Sequence, residues 1–392
     1  MNFSIDAAQR ERLAWLRELG RTELRPAGLR ADRAGAPLPP DDPFFETLLA
    51  AGFGGTLWAP AGERRADHPT RGHSAVTQVL LAEESSYWDR GIGVATPGPG
   101  LGEPPILGMG TDAQKARFLG PFRNPPRPIW GAFAMTEPSG GSDVANIRTR
   151  ARKDGDAWVL NGAKAFCGNA SRAEWIVVFA TVDPALGRGG HRAFVVERGS
   201  PGLGGFRLEK KMGLKAYEST SFFLEDCRVP GANLLGGEDY YAARAGFKGA
   251  MNTFNAGRPA IAAMAVGIGR AALDEATQHA REAGLLARER IRDRLERSRR
   301  RLKACMLLAL RAAWLADQRQ PNMLEASMAK AQAPLAALEA ASLGKEILGL
   351  AGGRGDNLLD KLFRDVKALD IVEGTGQIQR VVMARQLLNL PN

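Results

Sequence analysis

The sequence predicts an α+β, multidomain protein: an N-terminal helical domain, a middle antiparallel β domain and a second helical region at the C-terminal end. Three observations carry this. The chain has 392 residues, of which 44% are hydrophobic, enough for two or three cores when domains run to about 100–200 residues each. Apolar residues recur at helical spacing in both outer thirds. The middle third is written instead in short runs of β-branched and aromatic residues.

Residues 1–128 read as helices separated by Pro and Gly loops, with FFETLLAAGF and HSAVTQVLLAEESSYWD as the clearest amphipathic stretches and ATPGPGLGEPP, 95–105, as a breaker. Residues 129–240 carry AWVLNGAKAF, EWIVVFATV, HRAFVVE and STSFFLEDCRV, with turn residues such as Lys153-Asp154-Gly155-Asp156 and Arg188-Gly189-Gly190 between them. Strands that follow one another without helices predict antiparallel pairing. Residues 241–392 return to long helices, in which Pro259 and Pro334 mark starts or kinks. Segment 288–304, RERIRDRLERSRRRLKA, reads as a solvated helix face whose acidic residues pair with arginines along the helix.

The formal charge of +10 suits an anionic partner (a nucleotide, a phosphate-bearing cofactor, an acidic carrier protein or nucleic acid) and equally suits mere decoration of solvated helices. The basic residues are not interleaved with aromatics, so no nucleic-acid partner is expected. Apolar runs stop well short of the roughly 18–20 residues needed to span a bilayer, so no membrane partner is expected either. Cys167, Cys227 and Cys305 are irregularly spaced and the N-terminus is too polar for a signal peptide; a cytoplasmic protein without disulfides is expected, and no metal site is assigned.

Four segments carry candidate chemistry. Ala134-Met135-Thr136-Glu137-Pro138-Ser139-Gly140-Gly141-Ser142-Asp143 is a turn whose glycines and hydroxyls suit a flavin ring or pyrophosphate, or an ordinary polar turn. Leu160 to Ala170, LNGAKAFCGNA, reads by spacing as a β-hairpin closed by an Asn-Gly turn. Phe254-Asn255-Ala256-Gly257-Arg258-Pro259 opens a long helix. Ile371-Val372-Glu373-Gly374-Thr375-Gly376-Gln377-Ile378-Gln379 places a carboxylate on a glycine-flanked backbone that can approach a flat ligand closely, and burial there would raise its pKa into a range useful for a base; taken alone, a Glu before a Gly is more often a helix end. A further segment, Lys211 to Ala216 with Leu224 to Pro230 and Asn233 to Gly236, reads as architecture where strands cross into the last helices.

Together these strings resemble the acyl-CoA dehydrogenase family of flavoproteins over nearly the whole chain. The resemblance implies that the C-terminal region is a four-helix bundle and that FAD is the cofactor, held by Phe133, Met135, Thr136, Gly141, Ser142, Phe166, Gly168, Thr375 and Gln377. It places the substrate against Ser142, Phe254, Asn255, Arg258 and Gly374, and makes Glu373 the base that takes the α-proton of an acyl thioester while flavin N5 accepts the β-hydride, giving a trans-2-enoyl thioester. Implied partners are acyl-CoA or an acyl carrier protein, an electron-transferring flavoprotein or similar acceptor, and like subunits in a homodimer or homotetramer. A monooxygenase of the same fold and a partner subunit of a hetero-oligomeric dehydrogenase are the alternatives. The sequence departs from the family pattern at Asn146, at Gly168 where Thr or Ser is common, in Arg281 to Arg288 where an Arg-x-x-Phe-Gly turn is usual, and at Glu346 where a Gln is usual. An arginine such as Arg354, or one from 288–301, is expected to compensate Glu346.

Overall fold

The computed structural model describes residues 4–63, 68–242 and 246–390, with the backbone alone for 246–256. Helices α1 (Ala7–Leu19), α2 (Arg25–Ala34), α3 (Pro43–Ala50), α4 (Ala75–Ala95), α5 (Glu103–Met109) and α6 (Asp112–Leu119) come first. Their starts are set locally. Asp6 and Thr111 close capping boxes with Gln9 and Gln114, satisfying backbone N–H groups that a helix leaves orphaned. Leu16, Phe45, Leu48, Leu81 and Trp130 form the core of this region.

Next come β1 (Gly131–Ala134), β2 (Arg150–Asp154), β3 (Ala157–Gly168), β4 (Trp175–Thr181), β5 (His191–Glu197), β6 (Leu203–Leu208) and β7 (Ser219–Pro230), in one sheet of order β1-β4-β2-β3-β7-β6 with β5 beside β4. The expectation of antiparallel pairing holds for β2–β3, β3–β7, β4–β5 and β6–β7 but not for β1–β4 or β2–β4, which are parallel. The reason is that β4 returns beside β1 in the same direction after the β2–β3 excursion. Every residue of β4 is buried, which is why Trp175-Ile176-Val177-Val178-Phe179 reads as a continuous apolar run rather than an alternating one.

The Asn-Gly hairpin expected in LNGAKAFCGNA does not form. Asn161 and Gly162 lie inside β3, at a register shift against β7. The Asn161 side chain bonds to Asp226 across the strands, and a Cβ on Gly162 would stand 2.7 Å from the Thr149 Cα. Glycine is there for close approach, not for a turn.

The chain ends in α7 (Gly237–Ala242), α8 (Gly246–Glu282), α9 (Glu289–Asp317), α10 (Met323–Leu348), α11 (Leu358–Ile371) and α12 (Gly376–Leu387). Pro259 and Pro334 interrupt neither α8 nor α10; each sits within a continuous helix. Alanines 262, 263, 265, 336, 337 and 340 line the buried faces of those two helices and let them pack closely. On α9 the expected pairs along the helix are present: Arg297–Asp293, and Arg299–Glu296 at 3.3 Å. Arg294 reaches across to Glu346 at 2.6 Å, which is the expected compensation of that carboxylate.

The three regions meet at a buried charge cluster. Lys361 of α11 bonds Asp89 of α4 at 2.7 Å and also Asp365; Asp365 accepts from the Leu214 N–H at 2.5 Å; Arg364 grips Asp32 of α2 with both terminal nitrogens, at 2.7 and 2.5 Å. The Lys211 to Ala216 segment is thus the joint between β domain and helices that its sequence suggested. No helix among the described residues is long and apolar enough to cross a membrane, and the three cysteines are buried and free.

Candidate active site

Glu373 sits between α11 and α12 in the left-handed region, φ +53°, followed by Gly374 at φ +88°. A non-glycine residue there stores about 1–3 kcal/mol of backbone strain, which the surroundings must hold. Two buried side chains do so. Lys330 of α10 donates to the carbonyls of Asp370 (3.1 Å) and Gly374 (2.5 Å), and Gln379 of α12 donates to the Gly374 carbonyl at 3.2 Å. Neither was singled out in the sequence, where Lys330 is one lysine in an alanine-rich helix; its only signal is that an apolar face carries a charge at all.

The Glu373 carboxylate points at α8. A Cβ on Gly257 would stand 2.6 Å from its Oε2, so only glycine leaves it this room. That Oε2 is buried and has no hydrogen-bond partner. Burial pushes the carboxyl pKa up, and Arg90, Lys330 and Arg258 oppose the rise only in part. Burial likewise pushes the Lys330 ammonium down, to about 8. Arg258, a substrate residue in the resemblance, is buried on α8 and feels the charge of Glu373. The side chains of Phe254 and Asn255 lie outside the described residues.

The other half of the site is built on β3. Lys164, fully buried, bonds Glu137 at 2.9 Å and the Met135 carbonyl at 3.2 Å, and the Ala165 N–H donates to the Thr136 carbonyl at 3.0 Å. One ion pair thereby joins the Thr-Glu-Pro turn to the Ala-Lys-Ala-Phe strand. Gly141 and Ser142 are exposed on that turn and Thr136 is half-buried. Phe166 stands on a bulge of β3 at φ +58° with its side chain 66% exposed, an unusual posture for a large aromatic. Met135 packs into the β core, and the Phe133 ring lies tilted against that of Phe179 at 5.5 Å. Thr375 caps α12 through the Ile378 N–H at 3.3 Å, and Gln377 is exposed in the first turn.

The end of α4 bridges the two halves. Asn169 donates to the Val94 carbonyl at 2.8 Å, and Val94 lies 3.7 Å from where a Cβ on Gly168 would be; one turn earlier Arg90 faces Glu373. An exposed aromatic on one wall, an open polar turn beside it and a partnerless buried carboxylate beyond fit a flat, polar-edged ring system such as a flavin. Among the described residues no cluster of His, Cys, Asp and Glu could hold a metal ion.

Known proteins resemble this chain over nearly its whole length. Residues 6–124, 132–227 and 244–388 match the N-terminal, middle and C-terminal domains of acyl-CoA dehydrogenase. The short-chain specific acyl-CoA dehydrogenase of Rattus norvegicus mitochondria is 39% identical over 289 residues, 72% of this chain and 68% of that protein. An acyl-CoA dehydrogenase of Bacillus subtilis is 33% identical over 379 residues, 95% of this chain and 96% of that one. The structure of butyryl-CoA dehydrogenase from Megasphaera elsdenii superposes with a TM-score of 0.86 at 30% identity, covering 99% of this chain and 100% of that one. The fold, the site and these likenesses lead to one conclusion: the chain belongs to the acyl-CoA dehydrogenase family.

Proposed function

We propose that the protein catalyses the α,β-dehydrogenation of an acyl thioester, carried on coenzyme A or an acyl carrier protein, to the trans-2-enoyl thioester, with Glu373 as the base. The observation that carries this is the Glu373 carboxylate: buried, with Oε2 unpartnered, and held on a strained turn by Lys330 and Gln379. A general base needs a lone pair aimed into the site and a pKa above that of an ordinary carboxylate, and this one has both. FAD, when bound, supplies the acceptor for the β-hydrogen and its electrons. Phe166, Thr136, Gly141 and Ser142 would hold its ring on the β side, and Thr375 and Gln377 its nucleotide at the start of α12.

The remaining work belongs to the chain. Oε2 of Glu373 takes the α-proton. Arg258 and Lys330, by opposing the effect of burial, keep a working fraction of the carboxyl ionised. Gly257 leaves it the space to meet the substrate carbon. In this reading the domains are 1–128, 129–240 and 241–392, the protein works in the cytoplasm, like subunits assemble as a dimer or tetramer, and a protein acceptor such as an electron-transferring flavoprotein removes the electrons. A monooxygenase of the same fold would have no need of a base here, and the care with which the loop holds Glu373 favours the dehydrogenase. The test is to purify the chain, record its bound-flavin spectrum and follow anaerobic bleaching with a panel of acyl-CoAs. Bleaching by the parent and none by Glu373→Gln supports the reading; equal rates refute it. Recovery of the lone chain without flavin would favour the partner-subunit alternative.

A further inference from the structure

We infer that Lys330 is a positioning residue for the reaction: as an ammonium it clamps the turn that presents Glu373, and the loss of its proton sets the alkaline limit of catalysis. The inference rests on the dehydrogenase reading above.

Lys330 lies on the buried face of α10, between Ala329 and Ala331, with none of its surface exposed. Its ammonium donates to carbonyls on either side of the base, that of Asp370 in the last turn of α11 and that of Gly374. The turn between them is thereby pinned at both ends. It needs the pin, because Glu373 and Gly374 are consecutive residues in the left-handed region and the Glu373 side chain disfavours that backbone. Gln379 also holds the Gly374 carbonyl, but as a neutral amide. A charge-assisted hydrogen bond is roughly twice as strong.

The groups that face the ammonium are Asp370 of α11, Glu373 in the turn and Arg258 of α8. Neither carboxylate closes on it as a salt bridge. The Asp370 carboxylate lies 3.6 Å from Lys367, with Arg380 of α12 beside it across Gly376, and Oε2 of Glu373 is unpartnered. Helix α9 turns its cations elsewhere on α10, Arg311 to Glu325, Arg301 to Glu339 and Arg294 to Glu346. Burial therefore outweighs the two carboxylates and pushes Lys330 down to about 8, while the same burial pushes Glu373 up. The two shifts converge. Catalysis needs the base ionised and the clamp protonated at once, which confines the working form to a window of pH. Arg90 and Arg258 stay charged throughout it and cannot set its upper end. Above that end a neutral amine keeps N–H groups but loses the charge that strengthens their bonds. The turn relaxes and the carboxylate leaves its position, where a shift of about 1 Å can cost about 10²-fold.

The experiment follows single-turnover bleaching of the flavin-loaded enzyme, from about pH 6 to about pH 10, with the acyl-CoA that bleaches the parent fastest. The parent should give a bell whose alkaline limb has its midpoint at about 8. Lys330→Arg, which keeps its charge, should abolish that limb. Lys330→Met should lower the rate at the optimum by about 10–100-fold, change the dissociation constant of the acyl-CoA by less than about 3-fold, and show no alkaline limb. A second readout needs no turnover: amide hydrogen exchange of residues 371–379, corrected for the intrinsic effect of pH, should lose protection as the parent passes pH 8 and should not in Lys330→Arg. A parent whose rate stays flat to about pH 10, or a limb of the same midpoint in either variant, overturns this inference alone. Should neither variant fold with flavin bound, the exchange profile of the parent decides, and protection that does not change across pH 8 overturns the clamp. Failure of every acyl-CoA to bleach the flavin overturns the dehydrogenase reading, whereas the exchange measurement still reads the clamp.

Discussion

Glu137 and Glu373 are both carboxylates set among cations, one under the β sheet and one under the helices, and the protein treats them in opposite ways. Glu137 accepts from the Arg148 N–H (2.6 Å), the Thr149 N–H (2.9 Å), the Thr149 hydroxyl (2.6 Å) and Lys164 (2.9 Å). Burial alone would raise its pKa, but Lys164 and these bonds hold it below the ordinary value. Glu373 has three cations near it and bonds to none, and burial leaves its pKa raised. A satisfied buried charge is structural. An unsatisfied one, kept so at the expense of stability, is available for chemistry.

The sharpest way to break this contrast is to neutralise each carboxylate without changing its shape. Glu373→Gln should lower the rate of flavin bleaching by about 10²–10⁴-fold, the range in which a proton-transferring side chain contributes. Its Tm should hold or rise, because a partnerless buried charge has been removed. Glu137→Gln should do the reverse: stability falls by about 3–5 kcal/mol, as when one partner of a buried ion pair is deleted, with Lys164 left uncompensated. Thermal melts and single-turnover bleaching on both variants decide the matter. Equal loss of stability in the two would erase the distinction.

A smaller effect is expected from Gly257→Ala. The added Cβ would stand 2.6 Å from Oε2 and must displace the carboxylate, and a displacement of about 1 Å in a reacting group can cost about 10²-fold. The loss should appear in kcat, with the chain still folded and flavin still bound. An unchanged kcat would mean that the carboxylate has freedom to move that the packing against α8 denies.

The two regions also differed in how openly the sequence announced them. The helical, β, helical order was legible from periodicity, whereas Glu373 stood out only through the resemblance of its whole string to the family, since a Glu before a Gly alone reads as a helix end. What the sequence hid were the partners that make the sites work, because each is an ordinary residue made special by contacts distant in the chain. Lys330 is 44 residues from the Gly374 carbonyl it holds. Lys164 and Glu137 lay in two separate strings whose joining depends on β3 meeting the turn after β1. The Asn161-Gly162 pair misled for the same reason: local preference says turn, and the approach of Thr149 to Gly162 together with cross-strand bonds to Asp226 holds the pair in a strand.

The pH dependence should carry opposite signs for the two carboxylates. Glu137 has a lowered folded pKa, so its stabilisation is present above its unfolded value and is lost as pH falls through the folded one. Glu373 has a raised folded pKa, so ionising it opposes folding, while the bleaching rate should climb with pH through a midpoint above that of an ordinary carboxylate. Arg258→Gln removes one of the cations that oppose the rise and should move that midpoint to higher pH. A midpoint that stays put, or moves down, would show that Arg258 does not act on Glu373.

The smallest effect tests the β wall, where the family pattern is least well kept. Gly168 stands where Ser or Thr is common in the family, yet the space for a side chain remains: a Cβ would meet Val94 at 3.7 Å and the Glu218 carbonyl and Tyr217 ring at 3.9 Å, all ordinary packing distances. Gly168→Ser should therefore leave the Tm almost unchanged and, if the hydroxyl meets the bound flavin, tighten flavin binding by about 0.5–1.5 kcal/mol, one net hydrogen bond. Titration of the flavin-free protein with FAD measures it. Weaker binding would mean that this wall has closed over the space and that the ring is carried by Phe166 and the Thr136 turn alone, which would sharpen the contrast between a β half that merely seats the cofactor and a helical half that moves the proton.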